Sequence, residues 1–239
     1  MQRYFGRRIK NNVFLDEDDI YHLLKVMRAR RGEEIEVVCD EKTYICEITS
    51  TKPLEIVINE QLKDNPELPN YVILAPCLLK GDKLDFVLQK SVELGVSEVV
   101  LLTSQRTIVK IKGQQNDLKL GRYQKILKEA ACQSKRTRVP FINRIISFDR
   151  INEIEADVKL IAYEGLKGSV SNLNKKLNNV KPGKKIAIII GPEGGFSEPE
   201  VQYAKNYGFS CVSLGNRILR AETASLYALS VIANRLEDK

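Results

Sequence analysis

The sequence is poor in the residues that build metal centres and disulfide frameworks. It has no tryptophan, one histidine (His22) and five cysteines without a Cys-x-x-Cys pair. A lone histidine outside a Cys/His cluster argues against a structural zinc site. An odd, scattered set of cysteines is typical of free thiols in a reducing compartment. We therefore expect a cytoplasmic protein without a bound metal.

Long hydrophobic runs are also absent. The longest purely aliphatic run, Ile186 to Ile190, is far shorter than the roughly 20 residues that a helix needs to span a bilayer. The N-terminal stretch MQRYFGRRIK is basic but has no apolar segment behind it, so it predicts no secretion signal and no membrane association. With 43% hydrophobic residues over 239 positions, the chain can bury the core of one large domain or of two unequal ones.

Positive charge is concentrated in one part of the chain. The net charge is +7, yet residues 106–150 alone hold twelve Lys or Arg against three Asp or Glu. The first forty residues are balanced, with eight basic and eight acidic side chains. A concentrated positive field favours a polyanion such as RNA, because each neutralised phosphate releases counterions. A solvated basic face is the alternative.

The N-terminal part has the pattern of a small, mainly β module. Three runs rich in Val, Ile, Thr and Tyr, separated by polar turns, predict strands over residues 33–40, 42–50 and 53–60. Residues 16–32 predict a helix, because they begin with acidic residues and end with basic ones before Gly32. The polar segment 63–71, with two prolines, is the predicted linker.

The rest of the chain alternates aliphatic strands with amphipathic helices. This alternation predicts an α/β fold with a parallel sheet covered on both faces. In such sheets, ligands bind beyond the carboxyl ends of the strands. The strand ends expected to form a site are residues 162–165, 191–196 and 214–215.

A glycine-rich loop, GPEGGFSEPEV, begins at Gly191 after one of these strands. Ser197 and Glu200 form a capping box that predicts a helix directly after the loop. The glycine spacing does not match the dinucleotide fingerprint, and the Lys-Ser/Thr of a P-loop is missing. Glu193 also disfavours a phosphate. The loop therefore favours a neutral or cationic nucleoside-like ligand, with a tight turn that needs positive φ as the alternative.

A second motif, LGNRILRAETASLYALSVI, begins at Leu214. It places Arg217 and Arg220 at the same sheet edge, and Glu222 and Thr223 at the start of the last helix, where free N–H groups need acceptors. The two arginines can equally be ordinary surface charges. The apolar stripe of the helix can pack on a partner subunit or within its own.

Taken together, the two motifs resemble those of the ribosomal RNA small subunit uracil-N3 methyltransferase family, in the SPOUT superfamily of knotted methyltransferases. The segments YHLLKVMRARRGEEIEV, QKSVELGVSEVVLLTSQRT and EAACQSKRTRVP resemble the same family. The resemblance covers nearly the whole chain. Cys132 departs from it, since an acidic residue is expected before Gln-Ser, and this weakens any argument for a contact there.

The resemblance implies a PUA-like, RNA-binding β-barrel over residues 1–68 and a SPOUT-type α/β domain with a deep trefoil knot over residues 69–239. The knot rests on the resemblance alone. Members of the family are homodimers in which the partner subunit completes the active site. The implied partners are therefore 16S rRNA of the small ribosomal subunit and a second copy of the chain.

The implied reaction is S-adenosyl-L-methionine-dependent methylation of N3 of a specific uridine in 16S rRNA. The alternatives are a SPOUT methyltransferase that acts on tRNA or on another rRNA nucleotide, and a non-catalytic RNA-binding protein of ribosome assembly. The implied cofactor contacts are Ala162, Tyr163, Glu164, Gly191, Pro192, Glu193, Gly194, Gly195, Leu214, Gly215, Ile218, Leu219 and Thr223.

The chemistry at N3 sets the expected catalytic residues. The N3–H proton must leave, and the resulting negative charge spreads onto O2 and O4 of the uracil, so the site needs a base and cationic donors. Arg220 and then Arg217 are the expected donors, and Glu193 and Glu222 are the candidate bases. N3 lies on the Watson–Crick edge, so the uracil must be unpaired. The expected RNA contacts are Arg3, Arg28, Arg30, Arg31, Arg106, Lys135, Arg136 and Arg138.

Overall fold

The structure is a computed structural model that describes residues 1–63, 65–109, 115–166 and 173–237. The chain divides into two compact units. The first unit comprises Met1–Glu67 with Ala131–Arg138, and the second comprises Leu68–Ala130 with Val139–Lys239. The domain boundary at residue 68 remains a prediction. The compact units differ from it in one segment, because residues 131–138 pack with the first unit.

The described residues of the first unit contain a closed five-stranded barrel. Its strands are β1 (Arg3–Ile9), β2 (Asn12–Leu15), β3 (Glu34–Cys39), β4 (Lys42–Thr51) and β5 (Leu54–Gln61), in the order β1-β2-β5-β4-β3. A parallel pairing of β1 with β3, in which Tyr4 faces Val37, closes the barrel. Closure leaves no free sheet edge. The sequence indicated β3, β4 and β5 but not β1 and β2.

The helix predicted over residues 16–32 is shorter than expected. Helix α1 (Glu17–Tyr21) begins at Asp16, whose side chain accepts the Asp19 N–H at 2.9 Å. A π-helical turn, His22–Val26, follows, and the helical structure ends there. Arg28 has a φ of +55°, which a continuing right-handed helix does not allow. His22 contacts the barrel, because its Nδ1 lies 3.0 Å from the hydroxyl of Tyr4 on β1.

Within its described residues, the second unit is built on a six-stranded parallel sheet with the order β11-β9-β10-β6-β7-β8. The strands are β6 (Tyr71–Pro76), β7 (Glu98–Thr103), β8 (Phe141–Ser147), β9 (Val158–Ala162), β10 (Lys185–Ile190) and β11 (Ser210–Val212). The parallel sheet confirms the sequence prediction. The edge strand β8 was not expected, because a basic residue, Arg144, interrupts its apolar run.

Helices cover this sheet. They are α2 (Lys83–Glu93), α3 (Gln115–Gln133), α4 (Leu173–Leu177), α5 (Glu198–Asn206) and α6 (Ala221–Glu237), and most of α3 lies in the second unit. The helix α6 packs against α2, α4 and the strands β6 and β10. Its side chains Ala228, Leu229 and Ile232 are fully buried. Much of the apolar stripe of α6 therefore packs within its own subunit. Burying a Leu or Ile side chain in this way stabilises the fold by about 1.5–3 kcal/mol.

Among residues 1–63, 65–109, 115–166 and 173–237, no helix has the length and hydrophobicity needed to cross a membrane. In the same residues, no group of three or more His, Cys, Asp or Glu side chains could hold a metal ion. The five cysteines are free, and burial raises the pKa of the Cys46 thiol to about 12.

The order of the strands brings three loops of the second unit to one edge of the sheet. Strand β9 lies between β11 and β10, and all three run in the same direction. The loops after their carboxyl ends are therefore neighbours, and α6 begins beside them. This edge is where the sequence placed the candidate site.

Candidate active site

A cavity of about 440 Å³ lies at the carboxyl ends of β9, β10 and β11. Its volume is within the range of small-molecule sites. All of the predicted cofactor residues except Thr223 line it. Those residues are Ala162, Tyr163, Glu164, Gly191, Pro192, Glu193, Gly194, Gly195, Leu214, Gly215, Ile218 and Leu219. Thr223 is exposed on the first turn of α6, because the helix turns that side chain away from the cavity.

Close contacts limit the room for a side chain at two of the glycines after β10. Gly195 has a φ of +66°, and a Cβ atom there would lie 2.3 Å from Oε1 of Glu164. A Cβ atom on Gly191 would lie 3.1 Å from the Phe196 ring. The alternative interpretation, a tight turn that needs positive φ, therefore explains Gly195 in part. It does not account for Gly191, where an added Cβ would press on the neighbouring ring and require it to move by a few tenths of an ångström.

The helix after this loop is capped by its own side chains. The Ser197 N–H donates to Oε2 of Glu200 at 2.9 Å, so the predicted capping box is present. The other oxygen, Glu200 Oε1, accepts the Gln105 N–H at 2.8 Å. Glu200 thereby brings a carboxylate to the helix N-terminus, where a phosphate would otherwise bind. This arrangement agrees with a ligand that has no phosphate.

The loop between β11 and α6 presents the two predicted arginines to the cavity. Gly215, with a φ of +112°, donates its N–H to Ser213 Oγ at 3.2 Å and turns the chain. Arg217 and Arg220 line the cavity and are exposed. The Arg220 carbonyl accepts the Ala224 N–H at 2.7 Å, so Arg220 is fixed at the beginning of α6.

Lys83, the first residue of α2, also lines the cavity and was missed in the sequence. Its Nζ lies 3.5 Å from Oε1 of Glu193 and 3.8 Å from Oε2 of Glu222. Burial opposes ionisation of Glu193, but backbone N–H groups, including that of Lys80, and the Lys83 ammonium outweigh it and lower the pKa of Glu193. As one lysine on the polar side of a helix, Lys83 gave no sequence signal.

Of the eight predicted RNA contacts, five are exposed, two are buried and Lys135 is intermediate. Arg28, Arg30, Arg31, Arg106 and Arg138 are exposed. Arg3 and Arg136, two of the predicted RNA contacts, are only 3% and 4% exposed, which leaves little of either side chain accessible to RNA. Arg3 Nε donates to Glu36 Oε2 at 2.7 Å, and Lys135 Nζ donates to the same oxygen at 2.9 Å.

The buried Arg136 pairs with Glu67 inside the first unit. Arg136 Nε donates to Glu67 Oε2 at 3.2 Å, and the Thr137 N–H donates to Glu67 Oε1 at 2.8 Å. Burial opposes ionisation of Glu67, but Arg136 and the backbone N–H groups outweigh it and lower the pKa of the carboxyl. Glu67 lies in the predicted linker, so this segment anchors residues 131–138.

Arg106 contacts the glycine loop. Its NH1 donates to the Gly194 carbonyl at 2.8 Å. A Cβ atom on Gly194 would lie 3.2 Å from the Cβ of Arg106. Arg106 therefore supports the cavity wall while its guanidinium stays exposed.

Comparison with known proteins agrees with this geometry. Residues 66–233 match the RNA methyltransferase domain family, and residues 15–59 match the RNA methyltransferase PUA domain. The chain is 34% identical to the ribosomal RNA small subunit methyltransferase E of Bacillus subtilis (strain 168), over 99% of this chain and 98% of that protein.

Two solved structures are similar over nearly their whole length. One is a ribosomal RNA small subunit methyltransferase E from Neisseria gonorrhoeae bound to S-adenosyl methionine, with 31% identity, a TM-score of 0.85 and coverage of 98% of this chain and 97% of that one. The other is the putative methyltransferase Lpg2936 from Legionella pneumophila in complex with SAM, with 30% identity, a TM-score of 0.87 and the same coverage. This chain therefore belongs to the family of RNA methyltransferases that carry an N-terminal PUA domain.

Proposed function

We propose that the protein transfers a methyl group from S-adenosyl-L-methionine to N3 of a specific uridine in 16S rRNA of the small ribosomal subunit. The observation that carries the proposal is the cavity at the ends of β9, β10 and β11, which gathers the glycine loop and the arginine loop in one place. Relatives over the whole chain are named ribosomal RNA small subunit methyltransferase E. A ribosomal RNA substrate supports a cytoplasmic location as part of this proposal.

The lining of the cavity fits the cofactor. S-adenosylmethionine supplies a methyl group on a cationic sulfur and has an adenosine without phosphate. The cavity offers apolar walls, such as Ile190 and Leu214, to the adenine, and glycine backbone that permits close approach. Glu164 and Glu193 lie in the lining, where carboxylates suit a cationic ligand and repel a phosphate.

Residues of the chain itself can accept the N3–H proton and stabilise the negative charge that develops on the uracil. Of the two candidate bases, Glu193 lines the cavity and Glu222 does not, so we assign proton removal to Glu193. The N3–H proton would pass to a Glu193 oxygen, the electron pair on N3 would bond the methyl carbon, and the carbon–sulfur pair would stay on sulfur. Arg220 and Arg217 stabilise the negative charge that develops on O2 and O4. Holding the two reactants in line supplies a further part of the rate.

A homodimer and a deep trefoil knot also belong to the proposal. Phe86 on α2 and Tyr227 on α6 are 46% and 39% exposed, and their two helices pack together. Exposed aromatic side chains on adjacent helices are typical of a subunit interface. Ile218, which lines the cavity, is 65% exposed, so a second copy has an apolar wall to cover there.

For RNA, we propose contacts through the exposed arginines at positions 28, 30, 31, 106 and 138. Arg3 and Arg136 are left out because they are buried in ion pairs. Lys135 pairs with Glu36, and only part of its side chain is exposed to solvent. The uracil must be unpaired before N3 can reach the methyl donor.

The test is methylation in vitro, followed by mapping of the product. Small subunits from cells that lack the protein are incubated with the purified protein and S-adenosylmethionine, and digested 16S rRNA is analysed by mass spectrometry for N3-methyluridine. One modified uridine is expected in 16S rRNA, and none in tRNA treated in parallel. Methylation of the tRNA alone, or of a ribose instead of a base, would overturn the proposal.

A further inference from the structure

A second cavity opens at the same edge of the parallel sheet, beyond the carboxyl ends of β7 and β8. Its volume is about 480 Å³, and all of its lining residues belong to the second unit. They are Thr103, Ser104, Gln105, Ser147, Phe148, Asp149, Pro199, Glu200 and Tyr203. None of them lines the first cavity, at the ends of β9, β10 and β11. The second cavity is therefore a separate site, and the methyl donor does not account for it.

The two cavities lie close together along this edge. Strand β6 lies between β10 and β7, and β8 follows β7. Because neighbouring strands are about 4.8 Å apart, the ends of β7 and β8 lie roughly 10–15 Å from the end of β10. Arg106 directly follows Gln105 of the second cavity, and its NH1 donates to the Gly194 carbonyl in the wall of the first at 2.8 Å. An exposed guanidinium is thus tied to the walls of both cavities.

The charge of the second cavity disfavours a phosphate. Two carboxylates, Asp149 and Glu200, lie in its lining, and none of the described residues that line it is Lys or Arg. Glu200 is used within the fold, since its Oε2 accepts the Ser197 N–H at 2.9 Å and its Oε1 accepts the Gln105 N–H at 2.8 Å. Asp149 is therefore the carboxylate of this cavity that a ligand can contact.

Asp149 is held in place and keeps one oxygen for a ligand. The Ser147 hydroxyl donates to Asp149 Oδ1, and the Asp149 backbone carbonyl accepts the Tyr203 hydroxyl. The Asp149 side chain is exposed, and its Oδ2 accepts no hydrogen bond from the part of the chain that the structure describes. A carboxylate oxygen only accepts, so the ligand must bring an N–H or O–H donor.

Aromatic side chains form the apolar part of the second cavity. Phe148 and Tyr203 line it with their ring centroids 6.5 Å apart. Tyr207, which is 43% exposed, packs on Tyr203 at a centroid distance of 4.7 Å. Bases of unpaired RNA stack on aromatic side chains of this kind. An aromatic wall beside an available carboxylate oxygen therefore fits a flat heterocycle that carries an N–H donor.

We infer that the second cavity binds the base of an unpaired nucleotide that flanks the target uridine, and that Asp149 selects a base with an exocyclic amino group. This inference rests on the proposed function. The amino group donates to Asp149 Oδ2, the ring stacks on the aromatic wall, and Arg106 contacts the phosphate between the two nucleotides. A uracil has the carbonyl O4 where a cytosine has its amino group, so the carboxylate disfavours uracil.

The test measures the binding of two short fluorescein-labelled RNAs to the whole chain by fluorescence anisotropy. Both are single-stranded heptamers with a central uridine, flanked by cytidines in one and by uridines in the other. The flanking bases are thus matched in size and differ in the amino group. Wild-type protein is expected to bind the cytidine-flanked RNA about 10-fold more tightly, as for a hydrogen bond to a charged group. Equal dissociation constants, or no binding of either RNA, would overturn the inference.

Asp149→Asn is compared with a matched control, Glu155→Gln. Each variant replaces one exposed carboxylate by its amide, so each changes the general attraction of RNA in the same way. Glu155 lies outside the lining of both cavities. Asp149→Asn should reduce the preference for cytidine to less than about 2-fold, because an amide can also donate to the O4 of uracil. Glu155→Gln should keep the preference. The same ratio in both variants would contradict the role of Asp149.

Photo-crosslinking locates the flanking base. Heptamers with 5-iodocytidine on either side of the central uridine are irradiated in the presence of the protein, and the cross-linked peptides are identified by mass spectrometry. Cross-links are expected at Phe148 or Tyr203, which line the second cavity. Cross-links confined to residues outside this lining would overturn the inference.

The outcomes separate this inference from the proposed function. If the protein discriminates between the heptamers as expected but methylates no uridine in small subunits, the proposed function fails and the base-binding cavity stands. If it methylates 16S rRNA but binds both heptamers equally, the inference fails alone. Melting temperatures of Asp149→Asn and Glu155→Gln verify that both variants fold.

Discussion

The substitution Gly195→Ala tests the cavity most directly. At a φ of +66°, an alanine costs about 1–2 kcal/mol of backbone free energy. Its methyl group would also lie 2.3 Å from Oε1 of Glu164, so that carboxylate must move, and Glu164 lines the cavity. We expect the variant to bind S-adenosylmethionine at least about 10-fold more weakly, which corresponds to about 1.4 kcal/mol.

Gly208→Ala provides the matched control. Gly208 ends α5 with a φ of +85°, and no heavy atom lies within 4 Å of an added Cβ. The backbone cost is therefore similar, while the cavity is left intact. Both variants are expected to melt about 2–8 °C lower than the wild type, since 1 kcal/mol shifts the melting temperature by about 2–4 °C at this chain length.

Calorimetric titration with S-adenosylmethionine then separates the two effects. Gly208→Ala should bind the cofactor as the wild type does, and Gly195→Ala should not. Equal dissociation constants for the two variants would refute the assignment of this cavity to the cofactor.

Three further predictions concern stability, chemistry and RNA. Arg136→Ala leaves the buried Glu67 unpaired and should lower the free energy of unfolding in urea by about 3–5 kcal/mol, whereas Arg138→Ala, in an exposed pair, should cost less than about 1 kcal/mol. The lowered pKa of Glu67 means that its contribution is present above the unfolded-state pKa near 4.5 and is lost as the pH falls below it, so the Arg136→Ala deficit should shrink in acid. Arg220→Ala should slow single-turnover methyl transfer about 100-fold with little change in cofactor affinity, and an unchanged rate would exclude it from charge stabilisation. Arg30→Ala should reduce the salt-dependence slope of RNA binding by about 0.7, measured by fluorescence anisotropy, and an identical slope would remove it from the interface.

The local sequence pattern predicted much of the structure of the second unit. Alternating aliphatic strands and amphipathic helices predicted the parallel sheet, and the glycine and arginine motifs predicted which strand ends form the cavity. The capping box of Ser197 and Glu200 was also predicted from the sequence. These features depend on residues close together in the chain, so a linear sequence contains them.

The remaining features depend on contacts between distant residues. The sequence showed Arg136 as one more basic residue, while the fold pairs it with Glu67, 69 positions away, and buries both. Lys83 likewise lies within 4 Å of Glu193 and Glu222 because the first turns of α2 and α6 lie beside the glycine loop.

By itself, the sequence determined the family, the α/β class and the loops that line the cavity, because composition, periodicity and motif spacing are local properties. The tertiary structure alone decided which charges are buried, which ion pairs form and which arginines remain at the surface. Burial and ion pairing depend on distances in space, and those distances exist only after the chain has folded.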